Sequence, residues 1–258
     1  MPSILFHLEE NVAVITLNRP EKLNSFNREM ALLLQEKLDE CAASKDIRCV
    51  YITGAGKGFC AGQDLAEVTT PGGPGFDKIL SEHYNPIIVK IRELKKPVVA
   101  AINGVAAGAG ANIALCCDIV LATQSASFIQ AFSKIGLIPD SGGTFFLPRL
   151  IGWQKASAIM MLGDKISAEE AERWGMIYKY FADTAFEIES KKIARQLSQM
   201  PTQALAYTKT ALQWSLTHTM QDQLMNEDNL QQQAAATADY KEGISAFMEK
   251  RAPQFKGE

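Results

Sequence analysis

The run from Pro97 to Gly143, PVVAAINGVAAGAGANIALCCDIVLATQSASFIQAFSKIGLIPDSGG, constrains this chain more than any other part of it. Val98 to Ile102 reads as an apolar strand; a loop of Gly and Ala follows from Gly104 to Gly110, then an apolar helical run ending near Asp118. A strand, a loop of small residues and a helix start direct free backbone N–H groups outward. The small side chains at Ala106, Ala107, Gly108, Ala109 and Gly110 let a ligand reach the main chain, which branched residues would prevent. The loop therefore suits an anion or an oxyanion, with close packing as the alternative use of the same residues. Farther on, Asp140 is the only ionisable group between Ile135 and Phe146, set between a proline and Ser-Gly-Gly. That composition also suits a plain turn in which the aspartate bonds its own backbone.

A chain of 258 residues can bury a sizeable core. A formal charge of −3 and no basic stripe give nothing to recruit nucleic acid or an anionic membrane. Cys41, Cys49, Cys60, Cys116 and Cys117 show no CxxC spacing and read as reduced, buried thiols of a cytoplasmic protein. His7, His83 and His218 are scattered, so neither a metal site nor a histidine-based nucleophilic triad is expected. The start MPSILFHLEENVAVITL alternates like a strand, and no run approaches eighteen apolar residues; no leader, membrane span or peroxisomal ending is expected.

Residues 3–8 and 11–17 predict a hairpin, and Asn27 caps a helix reaching Cys41 with Met30, Leu33, Leu34 and Leu38 on one face. Ile47 to Ile52 predicts a strand, Gly54 to Gly62 a glycine-studded crossover, and 69–75 a surface loop, with a lid over a ligand pocket as the alternative. A helix is expected over Phe76 to Leu94, and short strands over Ile119 to Thr123 and Ser127 to Gln130. From Trp153 the pattern turns helical: Lys155 to Leu162, Ala168 to Trp174 behind a Ser167 capping box, Phe186 to Ser198, Thr202 to Leu216, and a polar segment reaching Ala238.

Three segments together resemble a known family. GAGKGFCAGQDL, Gly54 to Leu65, is similar to the first signature of the crotonase (enoyl-CoA hydratase/isomerase) superfamily, and INGVAAGAG with its helix to the second. NRPEKLNSFN, Asn18 to Asn27, fits the family's CoA-contacting loop, and the likeness runs on to DYKEGISAFMEKRAPQF. Within the superfamily, GFCAGQDL, AFSKIGLIPDSGGT and EGISAFMEKRAPQF most resemble the branch that isomerises the ring epoxide of 1,2-epoxyphenylacetyl-CoA to its oxepin form. The resemblance implies an α/β chain: a crotonase ββα superhelix over residues 1–195, then a helical region over 196–258 that forms trimers, often paired into hexamers. The glutamines and alanines at 231–238 fit an exposed or a subunit-facing helix equally well.

Carried over position by position, the resemblance puts the two oxyanion donors on the backbone N–H groups of Gln63 and Ala109. The two glutamates by which family hydratases handle water match Asn112 and Phe132 here. Adding water wants a base for the water and an acid for the carbon, whereas moving a double bond needs one group that removes a proton and returns it elsewhere. Asp140 matches the acting carboxylate of several isomerases and of a chlorobenzoyl-CoA dehalogenase. The dehalogenase's Trp and His match Phe132 and Asn85, so its ring-activating set is incomplete. Phe132 and Ile138 are expected to line an apolar acyl pocket that raises the pKa of Asp140. Contacts to CoA are implied for Lys22, Leu23, Asn24, Ala61, Asp64 and Leu65, and for Phe247 and Lys250 near the nucleotide phosphates, within one subunit or across a boundary. Lys22 and Lys250 equally suit ordinary solvated lysines. The implied partner is an acyl-CoA thioester, with CoA as part of the substrate and no separate cofactor. Against the isomerase stand a hydratase, disfavoured by Asn112 and Phe132, and a non-catalytic protein binding CoA or RNA, disfavoured by the acidic balance and by Asp140.

Overall fold

The computed structural model describes residues 2–70 and 73–258. Pro71 and Gly72, in the middle of the expected loop 69–75, lie outside the described residues. The chain opens with the expected hairpin, β1 (Ile4–Glu9) and β2 (Val12–Leu17), and α1 (Arg28–Ala43), whose first turn is capped by the Asn27 side chain accepting from the Met30 N–H. β3 (Cys49–Gly54) and β4 (Gly58–Cys60) lead to α2 (Leu65–Thr69) and α3 (Phe76–Lys78). A π-helical turn over Ile79–Tyr84 joins α3 to α4 (Asn85–Glu93), so the expected helix has a bulge at its centre.

Two further strand pairs build the heart of the fold: β5 (Val98–Ile102) with β6 (Val105–Ala107) ahead of α5 (Ala109–Leu115), and β7 (Ile119–Thr123) with β8 (Ser127–Ile129). In each unit the first strand joins one sheet and the second joins another. β3, β5 and β7 run parallel in the six-stranded sheet β1-β2-β3-β5-β7-β10, with β10 at Lys179–Phe181, while β4, β6 and β8 run parallel in a four-stranded sheet closed by antiparallel β9 (Lys165–Ser167). Val50 pairs with Val98 and Val99 with Ile119 in the first; Gly58 pairs with Val105 and Val105 with Ser127 in the second. The backbone coils one turn per unit, which is the ββα superhelix.

Side chains alternate across the large sheet with period two. Val50, Ile52, Val98, Ala100 and Ile102 join the main core, while Cys49, Tyr51, Val99, Ala101 and Leu121 face a second apolar layer containing Phe186 and Ala194. With both faces covered, the central strands read as unbroken apolar runs.

The remainder comprises α6 (Gly143–Ile151), α7 (Trp153–Leu162), β9 (Lys165–Ser167), α8 (Ala168–Arg173), β10 (Lys179–Phe181), α9 (Phe186–Gln199), α10 (Thr202–Ser215), α11 (Met220–Ala235) and α12 (Ala238–Glu249). The Ser167 capping box with Glu170 forms as expected. The helical region starts earlier than Trp153, because α6 begins at the glycine pair and carries Pro148 inside it. Position 195 falls within α9, whose Phe186 and Ala194 pack on the large sheet; the helices that leave the sheet begin at α10. That tail is tied back by Arg48, which donates to Thr202 Oγ1 at 3.0 Å and to the Met200 and Phe255 carbonyls at 2.7 and 2.8 Å. Buried Lys209 adds bonds to the Ile91 carbonyl at 2.7 Å and Asp118 at 2.8 Å. No helix among the described residues is long and apolar enough to cross a membrane.

Candidate active site

The turn after β4 and the start of α5 meet side by side. Phe26 and Gln63 form an isolated parallel bridge, in which the Phe26 N–H donates to the Gly62 carbonyl at 2.7 Å and the Asp64 N–H donates to the Phe26 carbonyl at 2.8 Å. In such a bridge the neighbours of Gln63 are paired and its own N–H turns the other way. Ala109 is the first residue of α5, where no helical acceptor exists for its N–H. Neither N–H donates to another protein group among the described residues. A Cβ on Gly62, whose φ is +94°, would come within 3.0 Å of the Ala107 carbonyl and 3.6 Å of the Ala109 nitrogen. Glycine is therefore what lets the two loops come together.

The close approach continues behind them. A Cβ on Gly110 would lie 2.6 Å from the Cβ, Sγ and carbonyl oxygen of Cys60. Gly110→Ala should therefore destabilise the protein by about 1–3 kcal/mol through overpacking. A thermal melt should show it as a lower Tm, roughly 2–4 °C per kcal/mol for a chain of this size. An unchanged Tm would contradict the contact. Burial pushes the Cys60 thiol up to about 12, so it stays neutral beneath the loop and offers no thiolate.

Asp140 approaches from the far side of α5. Its carbonyl accepts from Asn112 Nδ2 at 2.9 Å and from the Gly143 N–H at 2.8 Å, and Ser141 Oγ donates to Asp140 Oδ1 at 2.8 Å. Burial raises the Asp140 pKa above the ordinary carboxylate value, more than the Ser141 bond lowers it. Phe132 is buried against the same loop, with its ring edge 3.6 Å from where a Gly108 Cβ would sit. Ile138 corrects the expectation of a paired lining: it is 81% exposed, in an irregular stretch that no helix or strand turns inward.

The sequence pattern of the enoyl-CoA hydratase/isomerase family matches residues 7–258. The chain belongs to that family. It is 48% identical to the 1,2-epoxyphenylacetyl-CoA isomerase of Escherichia coli K12, over 100% of this chain and 99% of that one. It is 33% identical to the 2,3-dehydroadipyl-CoA hydratase of the same organism, over the whole of both chains. The crystal structure of an enoyl-CoA hydratase from Bacillus anthracis superposes with a TM-score of 0.92 at 32% identity, covering 99% of this chain and 100% of that one. Family membership leaves both activities within reach, so the residues of this site have to separate them.

In this family member the residues implied for CoA fall into two groups. Leu23 and Ala61 are joined, the Ala61 N–H donating to the Leu23 carbonyl at 2.9 Å, and Lys22, Leu23 and Leu65 are exposed beside them. Asn24 is fully buried and its side chain is occupied: Nδ2 donates to the Ala55 and Gly58 carbonyls at 2.9 and 2.8 Å, and Oδ1 accepts from the Arg19 N–H at 2.8 Å. Any ligand contact there falls to its backbone. The Asp64 carboxylate is likewise engaged, capping α2 through the Ala66 N–H and accepting from Arg19 at 2.8 Å. Burial opposes its charge, but the Arg19 and Ala66 bonds outweigh that and hold its pKa below the ordinary value. Phe247, 80% exposed, and Lys250, at the end of α12, stand apart: among the described residues no hydrogen bond or ion pair joins their side chains to the Gln63 or Ala109 loops.

Three residues that sequence reasoning did not single out complete the site. Tyr84, fully buried at the end of the π turn, donates to Gln63 Oε1 at 2.7 Å. Gln63 Nε2 in turn donates to Glu67 Oε2 at 2.9 Å, so both ends of the Gln63 amide are held. Burial, reinforced by the nearby Asp140 carboxylate, raises the Tyr84 pKa and keeps the phenol protonated as a donor. Arg19 is the third, bridging the first loop to the Asp64 turn. Among the described residues there is no group of three metal-ligating side chains.

Proposed function

We propose that this family member is an isomerase of CoA thioesters, acting on ring-1,2-epoxyphenylacetyl-CoA and shifting double bonds in enoyl-CoAs. The observation that carries this reading is a single carboxylate with an oxygen to spare: Asp64 and Glu67 have both oxygens engaged, whereas Asp140 is half-buried with a raised pKa and accepts from a protein side chain only at Oδ1, and the positions where family hydratases hold glutamates are Asn112 and Phe132. The 48% identity with the Escherichia coli epoxyphenylacetyl-CoA isomerase supports the choice of acyl group.

In a double-bond shift, Asp140 takes a proton from carbon, and the C–H electron pair moves through the conjugated system onto the thioester oxygen. The Gln63 and Ala109 N–H groups hold that negative oxygen. The electron pair returns as the Asp140 proton is delivered to a different carbon, so no atom is gained or lost. The CoA handle, bound along the exposed Lys22–Leu23 and Leu65 surfaces, spends its binding energy on holding the acyl end in register, and Phe247 and Lys250, which stand apart within one chain, would close over it from a neighbouring subunit. Incubation of a 3-enoyl-CoA with the protein in D2O, followed by NMR, should give the 2-enoyl isomer, with deuterium at the receiving carbon only to the extent that the Asp140 proton exchanges with solvent before delivery. Recovery of unlabelled, unisomerised thioester would contradict the reading.

A hydratase reading draws on relatives such as the dehydroadipyl-CoA hydratase. If paired carboxylates divide the two activities, Phe132→Glu alone should leave hydration of crotonyl-CoA far below the isomerase rate, because Asn112 keeps the pair incomplete. Hydration by that variant at a matching rate would show that one carboxylate at position 132 suffices.

We propose assembly into a trimer or hexamer, in the cytoplasm; the apolar side chains that Met220, Met225, Ile244 and Met248 leave exposed on α11 and α12 support the assembly. Light scattering at micromolar concentration should report three or six subunits, and a monomer would contradict this.

A further inference from the structure

Two buried amides beside Asp140 have no part in the proton transfer just described. We propose that Asn112, held by Gln130, is the positioning residue for Asp140: its amide fixes the backbone of the turn from which the carboxylate projects. This rests on the reading of Asp140 as the proton carrier.

The bonds form a directed chain. Gln130 Nε2 donates to Asn112 Oδ1 at 2.7 Å, and Asn112 Nδ2 donates to the Asp140 carbonyl at 2.9 Å. Asn112 is fully buried and Gln130 nearly so. Turning Asn112 over would set its oxygen against the Asp140 carbonyl, acceptor against acceptor, and would face its NH2 toward the Gln130 donor. The chain therefore has one consistent direction. A carboxylate at position 112 would have no hydrogen to give the Asp140 carbonyl and would place a second negative charge beside the base.

The turn needs such a hold. Ser141 sits at φ +50° and Gly142 at φ +74°, two left-handed residues in succession. For the serine this is a strained conformation, which persists only where the surroundings over-determine it. Gly143 seats the turn directly on the amide, since a Cβ there would fall 2.4 Å from Asn112 Nδ2. Asn112 and the Gly143 N–H grip the Asp140 carbonyl, Ser141 grips Oδ1, and Oδ2 is left for the substrate.

The test compares wild type, Asn112→Ala, Gln130→Met and Asp140→Asn with one isomerisable enoyl-CoA, measuring kcat, KM and the pH dependence of kcat. Losing the amide should lower kcat by about 10–100-fold, the penalty of a base misplaced by about an ångström. KM should stay within about threefold, because the CoA handle and the oxyanion N–H groups are untouched. As the loosened carboxylate gains water, the acid limb of kcat should move to lower pH, which a merely structural residue would not cause. Gln130→Met keeps the side-chain length and should show the same split more weakly; it decides the matter alone if Asn112→Ala does not fold. Folded variants with kcat within about threefold of wild type and an unmoved acid limb would overturn the positioning role. If that happens while Asp140→Asn is inactive, positioning fails and the proton-carrier reading stands. An active Asp140→Asn overturns both.

Discussion

Asp140→Asn should lower turnover by about 10²–10⁴-fold, because the amide keeps the shape of the side chain but cannot accept the proton. Affinity for CoA thioesters should barely move, since both oxyanion N–H groups and the handle surfaces remain. The pH dependence has a definite sign. The base works ionised, so wild-type activity should be full above the raised Asp140 pKa and fall as pH drops through it. Stability runs the other way. A carboxyl whose folded-state pKa is raised binds more protons folded than unfolded, so its contribution is fully present below the unfolded value of about 4 and is lost as pH rises through the folded one. Asp140→Asn should therefore match or exceed the wild-type Tm at neutral pH. A turn aspartate kept for structure would do the opposite, losing stability and affinity together while sparing the chemical step. A folded variant that binds substrate and turns over within about threefold of wild type would end the assignment.

The second large effect concerns a donor with no side chain to delete. Ala109 is the first residue of α5, a position that accepts proline because its N–H has no helical partner. Gly108, at φ +52° and ψ −128°, has the mirror image of the extended conformation that precedes proline, open only to glycine. Ala109→Pro should thus fold while replacing the N–H with a methylene aimed at the thioester oxygen. Loss of one oxyanion donor costs about 10²–10³-fold in kcat. Binding of free CoA, which has no thioester oxygen, should be unchanged, and Ala109→Gly, which keeps the N–H, should remain active. An Ala109→Pro enzyme with near-normal kcat would remove Ala109 from the oxyanion site.

Much of this architecture was legible in the chain because burial on both faces leaves a plain mark. Val98 to Ile102 reads as a strand from its side chains alone, and Asn27 and Ser167 announce their helices by their caps. β6 was hidden, because Val105–Ala107 lies inside a glycine–alanine run that carries no alternating pattern. α6 was hidden by its opening glycines and internal Pro148, which resemble the end of a helix more than its start. In the site, Asp140 stood out as a lone charge in an apolar turn, whereas the donor role proposed for Gln63 and Ala109 rests on family resemblance, since a backbone N–H has no signature of its own. Tyr84 was invisible for a different reason: the π turn shifts the helical register that would assign it a face. The Asn112–Gln130 contact joins α5 to the end of β8, and no local pattern links the two.

We propose that one carboxylate with a free oxygen, beside a backbone oxyanion hole, makes this family member an isomerase. This is tested most directly by giving one preparation of the protein a 3-enoyl-CoA, the matching 2-enoyl-CoA and 1,2-epoxyphenylacetyl-CoA, and measuring kcat/KM for each. Isomerisation of the first and third is expected, with water addition to the second slower by at least about 10²-fold, the contribution of the missing acid–base partner. Hydration of the 2-enoyl-CoA as fast as either isomerisation would contradict it.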